Sequence, residues 1–424
     1  MIWRTLYTIL WYLITPFVAL RLLWRSRRAP LYRKRWAERF GFFPTPDPKW
    51  QNGIWVHTVS VGEFIAAIPL IKLMMQDYPH LPITITTMTP TGSERVKATF
   101  GDKIFHVYLP YDIPRPVNRF LNAMKPKISV VMETELWPNL FYSCRERNIP
   151  VIIANARLSA KSAQGYARFS TITTQVLHNI THVAAQAPDD AKRFVALGLS
   201  PEKLIVTGSI KFDITPAPDL KEKARALRQQ WGEHRLVWIA ASTHEGEDEP
   251  VLSAYAQLKQ QFPELVLVLV PRHPERFNSV AERCKATGFS VARRSHGVID
   301  DKSIDIYVGD TMGELMLLYA SADVAFVAGS LRDIGGHNIL EPAALGVPVV
   351  VGPHMFNFAQ ITDLLKDAQG LIQIDDGAQL AQALQPLLQD ETHRRAIAAN
   401  ASVVVEQNRG ALNTLWQLIK TEIS

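Results

Sequence analysis

Cysteine is nearly missing from this chain of 424 residues, with only Cys144 and Cys284 present. Two cysteines exclude a disulfide framework and suit a reducing compartment, and no Cys/His spacing suggests zinc. There is no G-x-x-x-x-G-K-[ST], which excludes a P-loop NTPase, and no G-x-G-x-x-G, which argues against a dinucleotide redox enzyme. Neither D-x-D nor H-E-x-x-H occurs, and His244-Glu245 lacks a second histidine, so nothing in the chain demands a metal. Short-period repeats and low-complexity tracts are absent as well. Hydrophobic residues make up 47% and charged residues 20%, the composition of a globular chain. Its length exceeds one usual core and suits two domains.

Acidic residues are almost lacking from the first 39 positions, where Glu38 stands against nine bases: Arg4, Arg21, Arg25, Arg27, Arg28, Arg33, Lys34, Arg35 and Arg39. That end carries +8. Subtracting it from the whole chain's 46 basic and 40 acidic residues leaves 37 and 39, a net of −2. A body that is not basic carries no general nucleic-acid footprint. The bases follow an apolar run from Thr5 to Leu20 that contains Tyr7, Trp11 and Tyr12. As a helix, the stretch between Arg4 and Arg21 covers about 24 Å at ~1.5 Å per residue, against about 30 Å of bilayer core. Snorkelling by Arg21 extends it to Trp24, and Pro16 is tolerable in a membrane helix. No small-residue cleavage site follows, so a removed signal peptide is not expected. The reading is a membrane anchor at 1–24 and a basic juxtamembrane linker at 25–45. The linker's charge places the body in the cytoplasm and against anionic lipid. Sequence leaves open whether the anchor spans the membrane or lies in its surface.

Beyond the linker, short apolar runs alternate with helical patterns. IWVHTVS (54–60) is a strand, and Ser60 and Glu63 have the spacing of a helix-opening capping box. PITITTMT, HVYLPYD, ISVVMETELWPNL, VIIANARLS, HVAAQ and LIVTGSIKFD follow as strands or edges. TGSERVKATF is a helix with Thr91 or Ser93 near its cap. Prolines 216 and 218 then interrupt the pattern. LVWIAAS, LVLVLVP, DIYVGD and VAFVAGS are the strands of a second half, which closes with GGHNILEPAALGVPVVVGPH (335–354). In that stretch Asn338 is an N-cap, Glu341 stands at capping-box spacing, and Val349 to Val351 form a buried strand. The expected fold class is α/β: two doubly wound, Rossmann-like domains facing a cleft, at 46–213 and 219–390, with a helical tail at 391–424. Ligands of such sheets bind beyond the carboxyl ends of strands.

The polar residues at those ends are the candidate site. Glu63 is a candidate general base, or only a partner in its capping box with Ser60. Glu133 and Lys211 stand at strand ends, either as stabilisers of developing charge or as a structural ion pair; Glu135 ends the same strand as Glu133. In the second half, two helix N-termini, Met312-Gly313-Glu314 and Asn338 to Glu341, together with Arg272, offer a nucleoside monophosphate N–H donors, a cation and ribose acceptors. Glu314 as a cap and Arg272 as a surface ion pair are the alternatives.

Several long motifs, in order, resemble those of 3-deoxy-D-manno-octulosonic acid (Kdo) transferases. They are SVGE at 60–63, TMTPTGSERV at 87–96, METELWPN at 132–139, NARLS at 155–159, GSIKFD at 208–213, PRHPERF at 271–277, VGDTMGELMLLY at 308–319 and GGHNILEP at 335–342. The resemblance covers nearly the whole chain. It implies the GT-B glycosyltransferase fold and transfer of Kdo from CMP-Kdo to the lipid A precursor lipid IVA, in lipopolysaccharide biosynthesis. Transfer would proceed with inversion, without a metal or cofactor, at the cytoplasmic face of the inner membrane. It implies Glu63 as base, Glu133 and Lys211 as transition-state stabilisers, and Pro271, Arg272, Met312, Gly313, Glu314, Asn338, Ile339, Leu340 and Glu341 as CMP contacts. Other readings are a GT-B transferase using a UDP-sugar and a lipid acceptor, a sugar-nucleotide epimerase, and a membrane-tethered nucleotide-binding scaffold.

Overall fold

The computed structural model describes residues 2–27, 30–297 and 303–423. Arg28 of the basic cluster lies outside the described residues. The chain divides into two compact units, one formed by Met1–Asp213 with Arg409–Ser424 and the other by Ile214–Asn408.

The first unit holds a parallel sheet with seven strands among the described residues. They are β1 (Ile54–His57), β2 (Ile83–Thr87), β3 (Phe105–Tyr108), β4 (Ile128–Met132), β5 (Val151–Ala156), β6 (His182–Ala185) and β7 (Leu204–Val206), in the order β3-β2-β1-β4-β5-β6-β7. Side chains alternate across a strand. Ile54 and Val56 therefore join one core cluster and Trp55 the other, each on its own face. A sheet covered on both faces needs apolar residues at both parities, which is why these strands read as unbroken hydrophobic runs.

The second unit repeats the plan with β8 (Val237–Thr243), β9 (Val266–Pro271), β10 (Val291–Arg293), β11 (Ile306–Val308), β12 (Val324–Val327), β13 (Val349–Val351) and β14 (Leu371–Gln373). The order is β10-β11-β9-β8-β12-β13-β14, again all parallel. The order reverses between β1 and β4 in the first sheet and between β8 and β12 in the second, which also turns back once at its β10–β11 edge. Such a switch point is where two crossovers diverge and leave a crevice.

Two expectations are corrected. The helix Pro90–Phe100 is capped by Thr89, whose hydroxyl accepts from the Gly92 N–H, rather than by Thr91 or Ser93. The helix in the GGHNILEP stretch runs only Leu340–Ala344, so Asn338 stands one residue before the N-cap, Ile339. The tail is helical as expected but is divided between the two units. Glu391–Gln407 belongs to the second unit, whereas Ala411–Ile423 packs Leu415, Trp416 and Ile419 into the first unit's core. Asp213 anchors that return, since its two carboxylate oxygens accept from the N–H groups of Gly410 and Leu412, each at 2.7 Å. The edge strands β10 and β14, of three residues each, were not foreseen.

Candidate functional site

In the first unit the switch point gathers carboxylates. Beyond β1, Ser60 caps the helix Val61–Asp77, and Glu63 sits in its first turn. The expected capping box forms. The Glu63 N–H donates to Ser60 Oγ at 3.3 Å, and Ser60 Oγ donates to Glu63 Oε1 at 2.8 Å. Oε2 accepts from the Val59 N–H at 2.7 Å. Glu63 is also buried. It is only 9% exposed, and burial raises its proton affinity above the usual carboxyl range despite those hydrogen bonds, with the Glu133 charge adding to the rise. Each oxygen keeps a second lone pair for a proton.

Glu133 follows β4 with φ at 58°. A left-handed residue other than glycine costs of order 1 kcal/mol, and such strain gathers at functional sites. Glu135, two residues on, was recognised in the sequence only as the end of a strand. Burial pushes its carboxyl up to about 7, with the charges of Glu63 and Glu133 contributing. The Glu133 charge thus reaches both Glu63 and Glu135, and that of Glu63 reaches Glu135. Lys211 lies on the 3-10 turn Ile210–Phe212. Asn155, itself at φ 53°, holds that turn by accepting from the Ile210 N–H at 3.2 Å.

In the second unit, Pro271 ends β9 and Arg272 follows it, with its N–H donating to the Thr243 carbonyl at 3.0 Å. Among the described residues Arg272 makes no ion pair within 4 Å; its charge instead stabilises the carboxylate of Glu341. Glu341 accepts from Asn338 Nδ2 at 3.1 Å, and Asn338 Oδ1 accepts from the Leu340 N–H at 3.1 Å. Burial outweighs both helpers and raises the Glu341 carboxyl. The side chains of Ile339 and Leu340 are fully buried in the core, so these two residues can offer a ligand backbone only.

Two histidines complete this cluster, and the sequence reading gave neither a role. His244, beyond β8, and His337, beyond β12, stack with rings 5.0 Å apart and Nε2 atoms 2.8 Å apart. A contact that short between ring nitrogens needs one of them to donate and the other to accept. Burial, with Arg272 and His273 beside them, holds both neutral, His337 down to about 3 and His244 down to about 4. Below them the buried Glu247 carboxylate ties the two loops together. It accepts from His244 N–H (2.9 Å), Gly329 N–H (2.8 Å) and Leu331 N–H (3.0 Å). The only sequence signal was that His337 lies inside GGHNILEP.

Glu314 has a partner that spacing could not reveal. Arg294, 20 residues earlier, grips it with Nε at 2.9 Å and Nη2 at 2.6 Å, which lowers its pKa. Beside it Gly313 has φ 85° and Met312 is exposed. No group of three or more His, Cys, Asp or Glu able to hold a metal occurs among the described residues.

Comparison with known proteins gives the same picture for both units. Residues 34–214 match the family described as 3-Deoxy-D-manno-octulosonic-acid transferase (kdotransferase), and residues 240–403 match glycosyl transferases group 1. The chain is 46% identical over 419 residues to the 3-deoxy-D-manno-octulosonic acid transferase of Haemophilus influenzae, covering 99% of this chain and 98% of that one. It is 34% identical to the Bordetella pertussis protein of the same name, covering 96% of each. Among solved structures, UDP-GlcNAc 2-epimerase from Neisseria meningitidis aligns with a TM-score of 0.56 at 14% identity, over 88% of this chain and 99% of that one. That likeness is one of fold. With close identity along almost its whole length and a family match to its first half, the chain belongs to the 3-deoxy-D-manno-octulosonic acid transferase family.

Proposed function

We propose that this protein transfers Kdo from CMP-Kdo to lipid IVA, in lipopolysaccharide biosynthesis, at the cytoplasmic face of the bacterial inner membrane. The observation that carries the reading is the buried, proton-hungry Glu63 at the switch point of the first sheet, beside a second carboxylate on strained backbone. The acceptor hydroxyl loses its proton to Glu63 as its oxygen bonds to the anomeric carbon. The bond from that carbon to the donor phosphate breaks, and CMP leaves with the electron pair. Attack from the face opposite the phosphate inverts the centre. Proton removal by a positioned carboxylate is worth about 10²–10⁴ in rate. Glu133 and Lys211 stabilise the charge that shifts during transfer.

On the second unit Pro271, Arg272, Met312, Gly313, Glu314, Asn338, Ile339, Leu340 and Glu341 hold CMP. Arg272 meets the phosphate, while backbone N–H groups and the Glu341 carboxylate serve the remaining polar groups of the nucleotide. The neutral His244–His337 pair adds no charge of its own beside Arg272. No metal or other cofactor takes part in these steps. The helix Ile2–Arg25, long and apolar enough to cross a membrane, and the basic linker after it bring the enzyme to its lipid acceptor. The test is incubation with CMP-Kdo and lipid IVA followed by mass spectrometry. A mass gain of one or more Kdo units on the lipid is expected, and its number counts the sugars added. No gain with CMP-Kdo, but a gain with a UDP-sugar, would replace the reading by the other transferase chemistry.

A further inference from the structure

The helix Ile2–Arg25 does not stand free of the first unit. Arg4, Tyr7, Thr8 and Trp11 recur at helical spacing and so share one face. That face is docked. The Arg4 guanidinium lies over the Tyr142 ring, 3.5 Å from its centre. Tyr7 hydrogen-bonds the buried Asp112. Thr8 Oγ1 donates to Asn139 Oδ1 at 3.1 Å. Trp11 stacks on Tyr111 with centroids 5.8 Å apart and planes at 27°. Asp112 is itself fixed by the N–H groups of Asn139 and Leu140, at 3.0 and 2.7 Å, so the dock is built into the fold. The opposite face is apolar and exposed: Trp3, Leu6, Leu10, Leu13 and Phe17 are each 47% exposed or more.

These contacts bear on how the helix meets a bilayer. Its 24 residues make about 36 Å of helix at ~1.5 Å each, long enough to cross. In a crossing, however, the Arg4 end would emerge on the far side, and the residues docked on it would travel with it. Tyr142, Asn139 and Asp112 would enter the hydrocarbon. So would Arg145, which lines with Arg4 and His178 an open cavity of about 670 Å³ beside the dock. Irregular backbone and charges on a soluble body are not tolerated there. A helix lying in the surface meets no such conflict. One flank keeps its polar and aromatic contacts with the body, the other sinks among acyl chains, and Arg21, Arg25 and Arg27 reach headgroup phosphates.

The geometry points to an in-plane anchor: the helix Ile2–Arg25 is a monotopic element, docked on the first unit by Arg4, Tyr7, Thr8 and Trp11 and seated by its other face in an anionic phospholipid bilayer without crossing it. This inference rests on the membrane reading proposed above and adds an orientation to it. One consequence is local. Tyr111, Asp112 and Asn139 all lie just beyond strands β3 and β4, so the anchor is fixed at the carboxyl edge of the sheet that presents Glu63 and Glu133. A lipid acceptor entering from that surface has the shortest path to the carboxylates.

Side-specific labelling of the full chain tests it. A short polar tag bearing one cysteine is added at the N-terminus; Cys144 and Cys284 are buried and serve as the unlabelled background. Membrane-impermeant maleimide is applied to sealed inverted inner-membrane vesicles, which expose the face carrying the body, and to intact spheroplasts, which expose the other. In-plane seating gives labelling in the inverted vesicles and none in spheroplasts. Labelling in spheroplasts alone means the helix crosses, which overturns the in-plane anchor and leaves the membrane reading standing. Sedimentation of purified protein with vesicles of phosphatidylethanolamine and phosphatidylglycerol is the separate control. Failure to sediment would overturn the membrane reading itself.

Discussion

Replacing Glu135 by glutamine should make the protein more stable at pH 8 and scarcely change it at pH 4.5. The reason lies in the carboxyl's surroundings. Among the described residues none gives it a hydrogen bond or a cation within ion-pair distance, while burial and the charges of Glu63 and Glu133 oppose its ionisation. Its pKa is about 7 in the fold, against an ordinary 4.5. The sign follows from proton counting. Between those values the folded chain binds more protons at this site than the unfolded chain, so stability falls as pH rises through the window. The stabilising balance is complete below about pH 4.5 and lost above about 7. At about 1.4 kcal/mol per pH unit, the ionised carboxylate destabilises the folded state by about 3 kcal/mol. Glutamine keeps the shape and carries no charge. For a unit of this size, roughly 2–4 °C per kcal/mol makes the expected gain roughly 6–12 °C at pH 8. Thermal unfolding of wild type and Glu135→Gln, followed by circular dichroism at several pH values from 4.5 to 8.5, measures the difference directly. A gain that does not grow with pH, or a loss at pH 8, would refute the argument that three crowded carboxyls store electrostatic strain here. The same variant should lose any limb of the pH–rate profile that titrates near neutrality, since that limb belongs to the coupled carboxyls.

Glu63→Gln keeps an acceptor oxygen for the cap but removes the base; kcat should fall about 10²–10⁴-fold while calorimetric CMP affinity stays unchanged, and lost affinity would mark Glu63 as structural. Arg272→Ala removes a charge-assisted contact worth about 1.5–3 kcal/mol, so CMP should bind roughly ten- to a hundredfold more weakly; equal affinity by the same calorimetry would take Arg272 out of the donor site. Gly329→Ala places a Cβ 2.8 Å from His337 Cδ2 on backbone at φ 69°. It should cost about 1–3 kcal/mol of the second unit's stability in urea unfolding, and an unchanged midpoint would show that the histidine pair yields freely.

Much of the site was legible because its signals are local. A serine three residues before a glutamate, at the end of an apolar run, specifies a helix start wherever it occurs, and Ser60 and Glu63 form that box. The unbroken hydrophobic runs announced parallel strands buried on both faces, and PRHPERF and GGHNILEP marked the ends of β9 and the start of a helix. What local signals could not carry were partners distant in sequence. Glu314 was read as a nucleotide contact or a cap, and its partner Arg294 was not foreseen. Asp213 was read as the last residue of a motif, yet it anchors a helix that begins about 200 residues later.

The order of residues alone determined the alternation of strand and helix, the concentration of charge at one end, and the motifs that name the family, because each depends on neighbours within a few turns. Strand order belonged to the tertiary structure. A parallel strand pairs with whichever neighbour its crossover reaches, and only the assembled sheets put their reversals at β1/β4 and β8/β12, bringing Glu135 within reach of the Glu63 charge and His244 against His337. The N-terminal helix shows the same division. Hydropathy shows that Ile2–Arg25 is long and apolar enough to cross a membrane, but spanning and lying flat have one composition. Only the docking of Arg4, Thr8 and Trp11 on the folded unit separates them, since a polar contact made in water cannot be carried into hydrocarbon without being broken.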